Sequence, residues 1–421
     1  MPATASLAKV FVPFAFGYFL SYLYRVVNAV IAPDLISDLG LGASDLGLLT
    51  SAYFLTFALF QLPLGILLDH YGPRKTEAVL LLIAATGGLV FAMAESSTGL
   101  IVGRALIGLG VSSCLMAAFK AYVIWVPKER LPLINGFQMA AGGMGALTGT
   151  VPVEAALSFT DWRGVFFALS AATILVSALI YFTVPRRDEG VPAGGSAGLK
   201  DQLRGIGQVF TSPVFWWIAP MTVASQAAFL AIQSLWSGPW LGDVGGLPRD
   251  EVATYLLMVA VSMVTGFISM GVIADRLGRF GIKPTSLGIA GMSLFMVTQV
   301  AIAFRLTDHI LLLWMAFGFF GSTGILPYAA LSQKFPTYLA GRVNTGLNLL
   351  VFVAAFCAQW GTGAIIGMWD KTASGGYDPD GYQAAFGLMI AIQVAALVWL
   401  VLYRKGRQAF AHPEQLIMSS L

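Results

Sequence analysis

GILLDHYGPRK, Gly65 to Lys75, and GVIADRLGRFG, Gly271 to Gly281, are short charged stretches in the two halves of an otherwise apolar chain, and they echo one another. Gly65, Asp69 and Gly72 recur as Gly271, Asp275 and Gly278 at one constant offset. A second echo pairs Pro127 and Asn135, in PKERLPLIN, with Pro336 and Asn344, in PTYLAGRVN, again at a single spacing. Two echoes in the same order point to duplicated halves. Glycines at these places permit close helix contact, and the aspartates suit capping of helix N-termini or pairing with basic neighbours such as Arg74 and Arg276.

Outward from these loops, the composition is that of a chain facing lipid. Of 421 residues, 57% are hydrophobic and 11% charged, whereas soluble domains carry about 25% charged residues. A span takes about 20 apolar residues, and such runs recur near 8–32, 46–68, 76–95, 99–124, 133–157, 164–184, 214–240, 251–273, 284–304, 309–334, 340–367 and 381–403. This predicts an all-α integral membrane protein with twelve transmembrane helices in two pseudo-symmetric six-helix bundles. The stretch from Pro185 to Pro213, with RRDEG and a GG pair, reads as a linker. The expected divisions are a first bundle over 1–185, a linker over 186–213, a second bundle over 214–405 and a tail over 406–421. The opening segment has too long an apolar run for a secretory leader and contains Arg25, so it is expected to remain as the first helix.

Basic residues divide unevenly between alternate loops. One set collects Lys9, Arg74, Lys75, Lys128, Arg130, Arg186, Arg187, Arg276, Arg279, Lys334 and Arg342 among others, while the other holds Arg163, Arg249, Arg305 and Lys371. Positive residues are retained on the cytoplasmic side, which predicts both termini inside a bacterial-type inner membrane. The net charge of +3 follows from this loop bias, with no nucleic-acid motif and no phosphate-binding G-x-x-x-x-G-K-[ST] loop. His70, His309 and His412 fall in separate loops or the tail, so neither a metal nor another cofactor is expected. Cys114 and Cys357 fall inside spans and read as small packing residues.

The loop Gly65, Leu67, Asp69, Gly72, with the basic pair Arg74 and Lys75 displaced by Pro73, resembles the loop 2–3 signature of the major facilitator superfamily. Arg104 followed by Gly108 and Gly110 resembles its fourth-helix signature, and DWRGVFF, Asp161 to Phe167, looks like the start of its sixth helix. The resemblance implies a secondary transporter with its solute site between the halves near the bilayer midplane, exposed alternately to each side. It gives Asp69, Arg74, Asp275 and Arg276 a gating role.

Within the spans the ionisable residues singled out are Arg25, Arg104, Lys120 and Glu154. Such residues face a cavity or a partner. Tyr18, Ser21, Tyr22 and Asn28 share a face with Arg25 at three- and four-residue intervals, a polar stripe whose guanidinium suits a carboxylate or phosphate. GYFLSYLYRVVNAVIAPDL resembles the first helix of organophosphate and organic-anion permeases, where an arginine at the matching place contacts the anion. Those exchangers carry a second arginine on span 7, where this chain has Gln226 and Gln233, so a carboxylate-type anion fits better than a phosphate ester. Two readings stay open for Arg25: a solute anchor, or an internal ion pair within a network of Arg25, Arg104 and Glu154 that also suits gating or proton carriage, with H+ as coupling ion. Lys120 faces another part of the cavity or snorkels to the interface. Gln226, Gln233, Trp236, Asn344 and Asn348 are the candidate solute contacts of the second half, while Trp240 reads as a membrane-interface anchor. Gly108, Gly110, Gly142, Gly143, Gly145 and Gly149 suit close helix packing. The expected protein is a monomer that moves a small organic anion across the bilayer. The rival functions are a proton-coupled drug or metabolite exporter, a transporter-fold solute sensor and, with less in its favour, a membrane enzyme. Replacing Asp69 with Asn is expected to slow vesicle transport much more than it weakens ligand binding, since it alters the balance between conformations; equal transport rates in mutant and parent vesicles would remove the gating role.

Overall fold

The computed structural model describes residues 4–126, 131–185, 207–278, 280–306, 308–335, 337–373 and 375–404, with 406 and 408. These are helical almost throughout. Among them ten helices are long and apolar enough to cross a membrane, and a bent pair, Ala8–Val26 with Asn28–Leu39, makes an eleventh. The expected fifth span, 133–157, is divided between α6 (Leu131–Thr148) and α7 (Val151–Leu157) by an interruption at Gly149 and Thr150. By length and composition the described residues thus account for ten or eleven of the twelve expected spans. The linker expected over 186–213 lies outside the described residues as far as 206, and so does most of the tail. Val79, Val123, Leu175, Phe182, Val297 and Leu312 are exposed. Apolar residues spread over the outer face in this way fit a lipid solvent.

Local breaks in the helices have identifiable causes. The helix α1 (Thr4–Val26) meets α2 (Asn28–Leu39) at 46°. At the bend the Tyr24 carbonyl leaves the helical ladder, and the Arg104 guanidinium on α4 (Ser97–Val111) donates to it instead at 2.8 Å. The second and third spans run together as α3 (Ala43–Ala92), which turns at Gly72 with φ 74° and ψ 166°. Only glycine takes that conformation without strain, which explains this position of the loop signature. Arg74, just past the turn, donates from Nε to the Tyr181 carbonyl at 2.8 Å and lies over the Tyr181 ring, tying α3 to α8 (Trp162–Thr183). The side chains of Asp69 and Asp275 lie outside the described part of the structure, and Arg276 is exposed. Close packing holds as expected: a methyl group on Gly145 of α6 would sit 2.1 Å from the Phe19 carbonyl oxygen of α1.

The second half begins with α9 (Pro213–Ala231), passes through a π-helical turn at Ile232–Trp236 into α10 (Ser237–Asp243), and continues as α11 (Arg249–Gly278), α12 (Pro284–Ala303), α13 (Ile310–Gly321), α14 (Leu326–Ser332), α15 (Thr337–Ile366) and α16 (Pro379–Leu402). The halves meet along α3 and α15, where Phe57 stacks on Phe352 at 4.4 Å between ring centroids. They also meet at the end carrying Asp34, Glu154 and Arg249. There Arg249 of the second half donates to both Asp34 oxygens and approaches Glu154 Oε1 at 2.8 Å. Beside it, a small enclosed gap is lined from the first half by Val26, Ala29 and Thr150 and from the second by Gln233, Leu256 and Ala260.

A partly exposed ion pair contributes about 0.2–1 kcal/mol. Removing one such pair of the Arg249 cluster is therefore expected to shift a two-state balance by about 1.4- to fivefold toward separation of the halves at this end. In a background with Cys114 and Cys357 replaced by serine, Arg249→Ala should speed thiol labelling of Ala260→Cys in the enclosed gap. An unchanged rate would show that the cluster does not hold this end closed.

Candidate functional site

Arg25 lies at the last turn of α1, 6% exposed, where the first half faces the second. Its guanidinium carbon stands 4.5 Å from the Tyr22 ring centroid, 5.9 Å from Tyr53 and 5.7 Å from Phe57, and 5.5 Å from Phe352 of α15. Four rings from three helices thus surround one cation. Aromatic faces attract a cation through their quadrupole, but they accept none of the in-plane hydrogen bonds that a guanidinium offers. The Nε of Arg25 is buried without a partner, and among the described residues no carboxylate forms an ion pair with it.

The internal network of Arg25, Arg104 and Glu154 is not formed. Glu154 sits on the first turn of α7 and is bound to Arg249. Arg104, fully buried, donates to the Tyr24 carbonyl and leaves its Nε unpartnered, with the Tyr53 ring at 5.4 Å and Phe91 at 6.0 Å. Tyr53 therefore stands between the two arginines, its hydroxyl donating to the Ser21 carbonyl at 3.3 Å. Each arginine has a different partner type, which residue spacing along single helices does not reveal.

The remaining candidates divide into groups near Arg25 and groups already committed elsewhere. Tyr22 lies against Arg25, and Tyr18 packs edge-on to Tyr22 at 5.2 Å. Asn28, fully buried, donates to Thr50 Oγ1 at 3.1 Å and leaves its own Oδ1 unpartnered. Gln226 donates to the Gly321 carbonyl at 3.0 Å and fills the space over Gly324. Trp236 is fully buried and donates to the Gln359 carbonyl at 3.0 Å, so it binds α15 to the π-helical turn and does not form a cavity wall. Trp240 packs at 5.3 Å on Trp314 inside the bundle, which corrects its expected place at the membrane interface. Gln233 lines the small gap between the halves. Asn344 and Asn348 are half-buried on α15, Asn344 with an unpartnered Oδ1. Lys120 is half-buried on α5 (Cys114–Trp125) and already engaged.

Three features escaped the sequence reading. The ring box needs Tyr53 and Phe57, four residues apart on one helix face, but the sequence does not say that this face meets α1. Arg249, counted as a loop charge, joins the two halves. Glu77, just inside the expected third span, is fully buried with both carboxylate oxygens unpartnered; its position within that span was the available signal. The cleft at the Arg249 end, about 360 Å³ and lined by Asp34, Asp38, Glu154 and Asp161 around one arginine, has the wrong charge for an anion.

The family model of the Major Facilitator Superfamily matches residues 14–359. A probable sulfoacetate transporter of Cupriavidus necator, SauU, is 23% identical over 364 residues, covering 80% of this chain and 83% of that protein. The multidrug resistance protein MdtL of Escherichia fergusonii is 24% identical over 399 residues, covering 91% and 92%. Among solved structures, a bacterial homolog of the human lysosomal transporter Spinster, in an inward-facing and occupied conformation, superposes with a TM-score of 0.76 at 17% identity over 96% of this chain and 98% of that one.

Because Arg25 and Glu154 occupy separate clusters, their substitutions are expected to be independent. Melting free energies of Arg25→Gln, Glu154→Gln and the double variant should add within about 0.5 kcal/mol; a larger coupling term would restore the ion pair between them.

Proposed function

We propose that this chain, which belongs to the Major Facilitator Superfamily and is a multi-pass membrane transporter and not an enzyme, carries small organic anions and holds them at Arg25. The observation that carries this reading is a buried guanidinium at the interface of the halves with rings around it and no carboxylate among the described residues. A buried charge without a counter-ion is costly, and a carboxylate or sulfonate entering between the halves relieves that cost through paired hydrogen bonds. Tyr22 and Tyr18 then form the wall on α1, with Asn344 and Asn348 as candidates on α15. The name of the sulfoacetate relative supports an anion that is small and doubly polar. The absence of a cation at Gln226 and Gln233 supports a carboxylate-type solute over a phosphate ester.

Solute exchange follows the alternating-access scheme of repeat-built transporters, in which the halves rock against each other and the bent first span shifts within its own half. In the proposed orientation both termini are cytoplasmic in a bacterial inner membrane, so the Arg249 end faces outward. A second reading, export of larger drug-like compounds, is favoured by the ring box itself and by the multidrug-resistance relatives.

The test is a binding screen followed by variants. Thermal shift of the purified protein against small carboxylates, sulfonates, phosphates, sugars and drugs should single out the carboxylates or sulfonates. Arg25→Lys keeps the charge and loses the fork of donors, so affinity should fall, and Arg25→Gln should lower it further. Loss of a buried charged hydrogen bond costs about 2–5 kcal/mol, at least tens-fold in Kd. Unchanged affinity in a well-folded Arg25→Gln protein would sink the anchor and bring the exporter reading forward.

A further inference from the structure

Glu77 lies on α3 five residues past the Gly72 turn, enclosed by α1, α5 and α8. It is fully buried, and neither carboxylate oxygen has a hydrogen-bond partner. The backbone of α1 rests directly on it: a Cβ added to Gly17 would stand 2.3 Å from Oε1 and 3.5 Å from Cδ, with Ile180 of α8 at 3.8 Å. Gly17 and Ile180 do not titrate. From α5 the facing titratable groups are Cys114, a weak donor without normal hydrogen-bond geometry, and Tyr122. The Tyr122 hydroxyl is committed to Gln138 Oε1 at 2.7 Å, and Gln138 Nε2 to the Phe14 carbonyl at 3.1 Å. Among the described residues no cation forms an ion pair with Glu77. Glu77 takes no part in the solute site at Arg25, which lies about two helical turns along α1 from Gly17.

We propose that Glu77 is a proton-carrying site of the transport cycle, filled when α1 packs on it and emptied when α1 lifts away. An ionised carboxylate with no cation and only a weak thiol donor beside it is not sustained in such surroundings, so the packed arrangement holds the neutral acid. When α1 separates and water enters, the acid passes its proton to a water molecule and the carboxylate left behind is hydrated; the return of α1 requires a proton to be taken back from water. Gly17 is the contact that makes this exchange depend on α1. Because the same helix carries Arg25, a solute that shifts α1 also shifts the protonation of Glu77, which is thermodynamic coupling between two ligands of one two-state element. Only this link to transport rests on the proposed solute site; the proton site itself rests on the geometry around Glu77.

Two measurements test it. The first is an infrared pH titration of the ligand-free purified protein, following the carbonyl stretch of a protonated carboxylic acid. The band should disappear as pH rises and should be missing in Glu77→Gln; Glu77→Asp, which keeps the acid, should retain a titrating band if the glutamine variant folds poorly. The second uses proteoliposomes with sulfoacetate and a panel of small carboxylates. In the parent, a pH gradient of ~1 unit should drive accumulation of at most about tenfold for one proton per solute. Glu77→Gln should lose that accumulation while retaining solute counterflow. A Glu77 band that never titrates, or gradient-driven accumulation that survives in Glu77→Gln, overturns the proposal and leaves Glu77 a permanently neutral packing group. If the parent moves none of the panel, the anion reading of the Arg25 site falls, and the infrared titration still decides Glu77.

Discussion

A charge buried in a medium that offers no water must find a partner in the protein, and in this chain the partners differ from one charge to the next. Arg104 finds a backbone carbonyl, freed by the bend that follows Tyr24. Arg249 finds two carboxylates on the opposite half. Arg25 finds aromatic rings and the Tyr53 hydroxyl but leaves its Nε unpartnered, and Glu77 finds only a thiol beside it. The first two hold structure in place, although Arg104 keeps its own Nε unpartnered. The last two are unsatisfied, and unsatisfied buried groups are retained where a ligand or a proton completes them.

These groups converge on the first span. Its carbonyl at Tyr24 is propped by Arg104, its glycine at 17 admits Glu77, its last turn presents Arg25, and its continuation α2 ends near the Asp34 contact with Arg249. The bend of 46° between α1 and α2 lets one span face both the interior of its own bundle and the opposite half. Displacement of this span therefore changes the surroundings of a cation, a carboxylate and an interhalf ion pair together. Packed interiors switch between discrete arrangements and do not deform continuously, so the three changes are linked.

The scaffold was largely legible in the sequence, because hydropathy, loop charge and duplicated glycines act locally. Gly72 was visible in the sequence only as a member of the loop motif, and the structure supplies the left-handed φ that requires glycine there. Span 5 was read as continuous because the interruption at Gly149 and Thr150 leaves its mean hydropathy intact. Arg25 was legible as a buried cation with both an anchor and an ion-pair reading open; its ring box was not, since Tyr53, Phe57 and Phe352 come from helices whose rotation about their axes no single-sequence pattern fixes. The network joining Glu154 to Arg25 was one of two open readings, and membership of predicted spans does not tell which buried charges meet; Glu154 pairs with Arg249 instead. Trp236 and Gln226 are polar-tipped residues in an apolar span, a pattern shared by cavity walls and by interhelix hydrogen bonds.

Duplication governs the scaffold more strictly than the chemistry. The loop glycines and aspartates recur in both halves, yet the buried charged side chains among the described residues, Arg25, Glu77 and Arg104, all belong to the first half. In the second half the buried polar groups are amides and hydroxyls, among them Gln233, Gln299, Gln359 and Gln393, with Gln299 and Gln393 bonded reciprocally at 3.0 and 3.1 Å. Neutral pairs of this kind are satisfied without a counter-ion and do not change with pH in the range where a carboxylate does. An electrostatic response to a solute or a proton therefore arises in the first bundle, while the second meets it through the Phe352 ring on Arg25 and the Arg249 cation on Asp34. The first half thus holds the fully buried charges, and the second closes over one of them with Phe352.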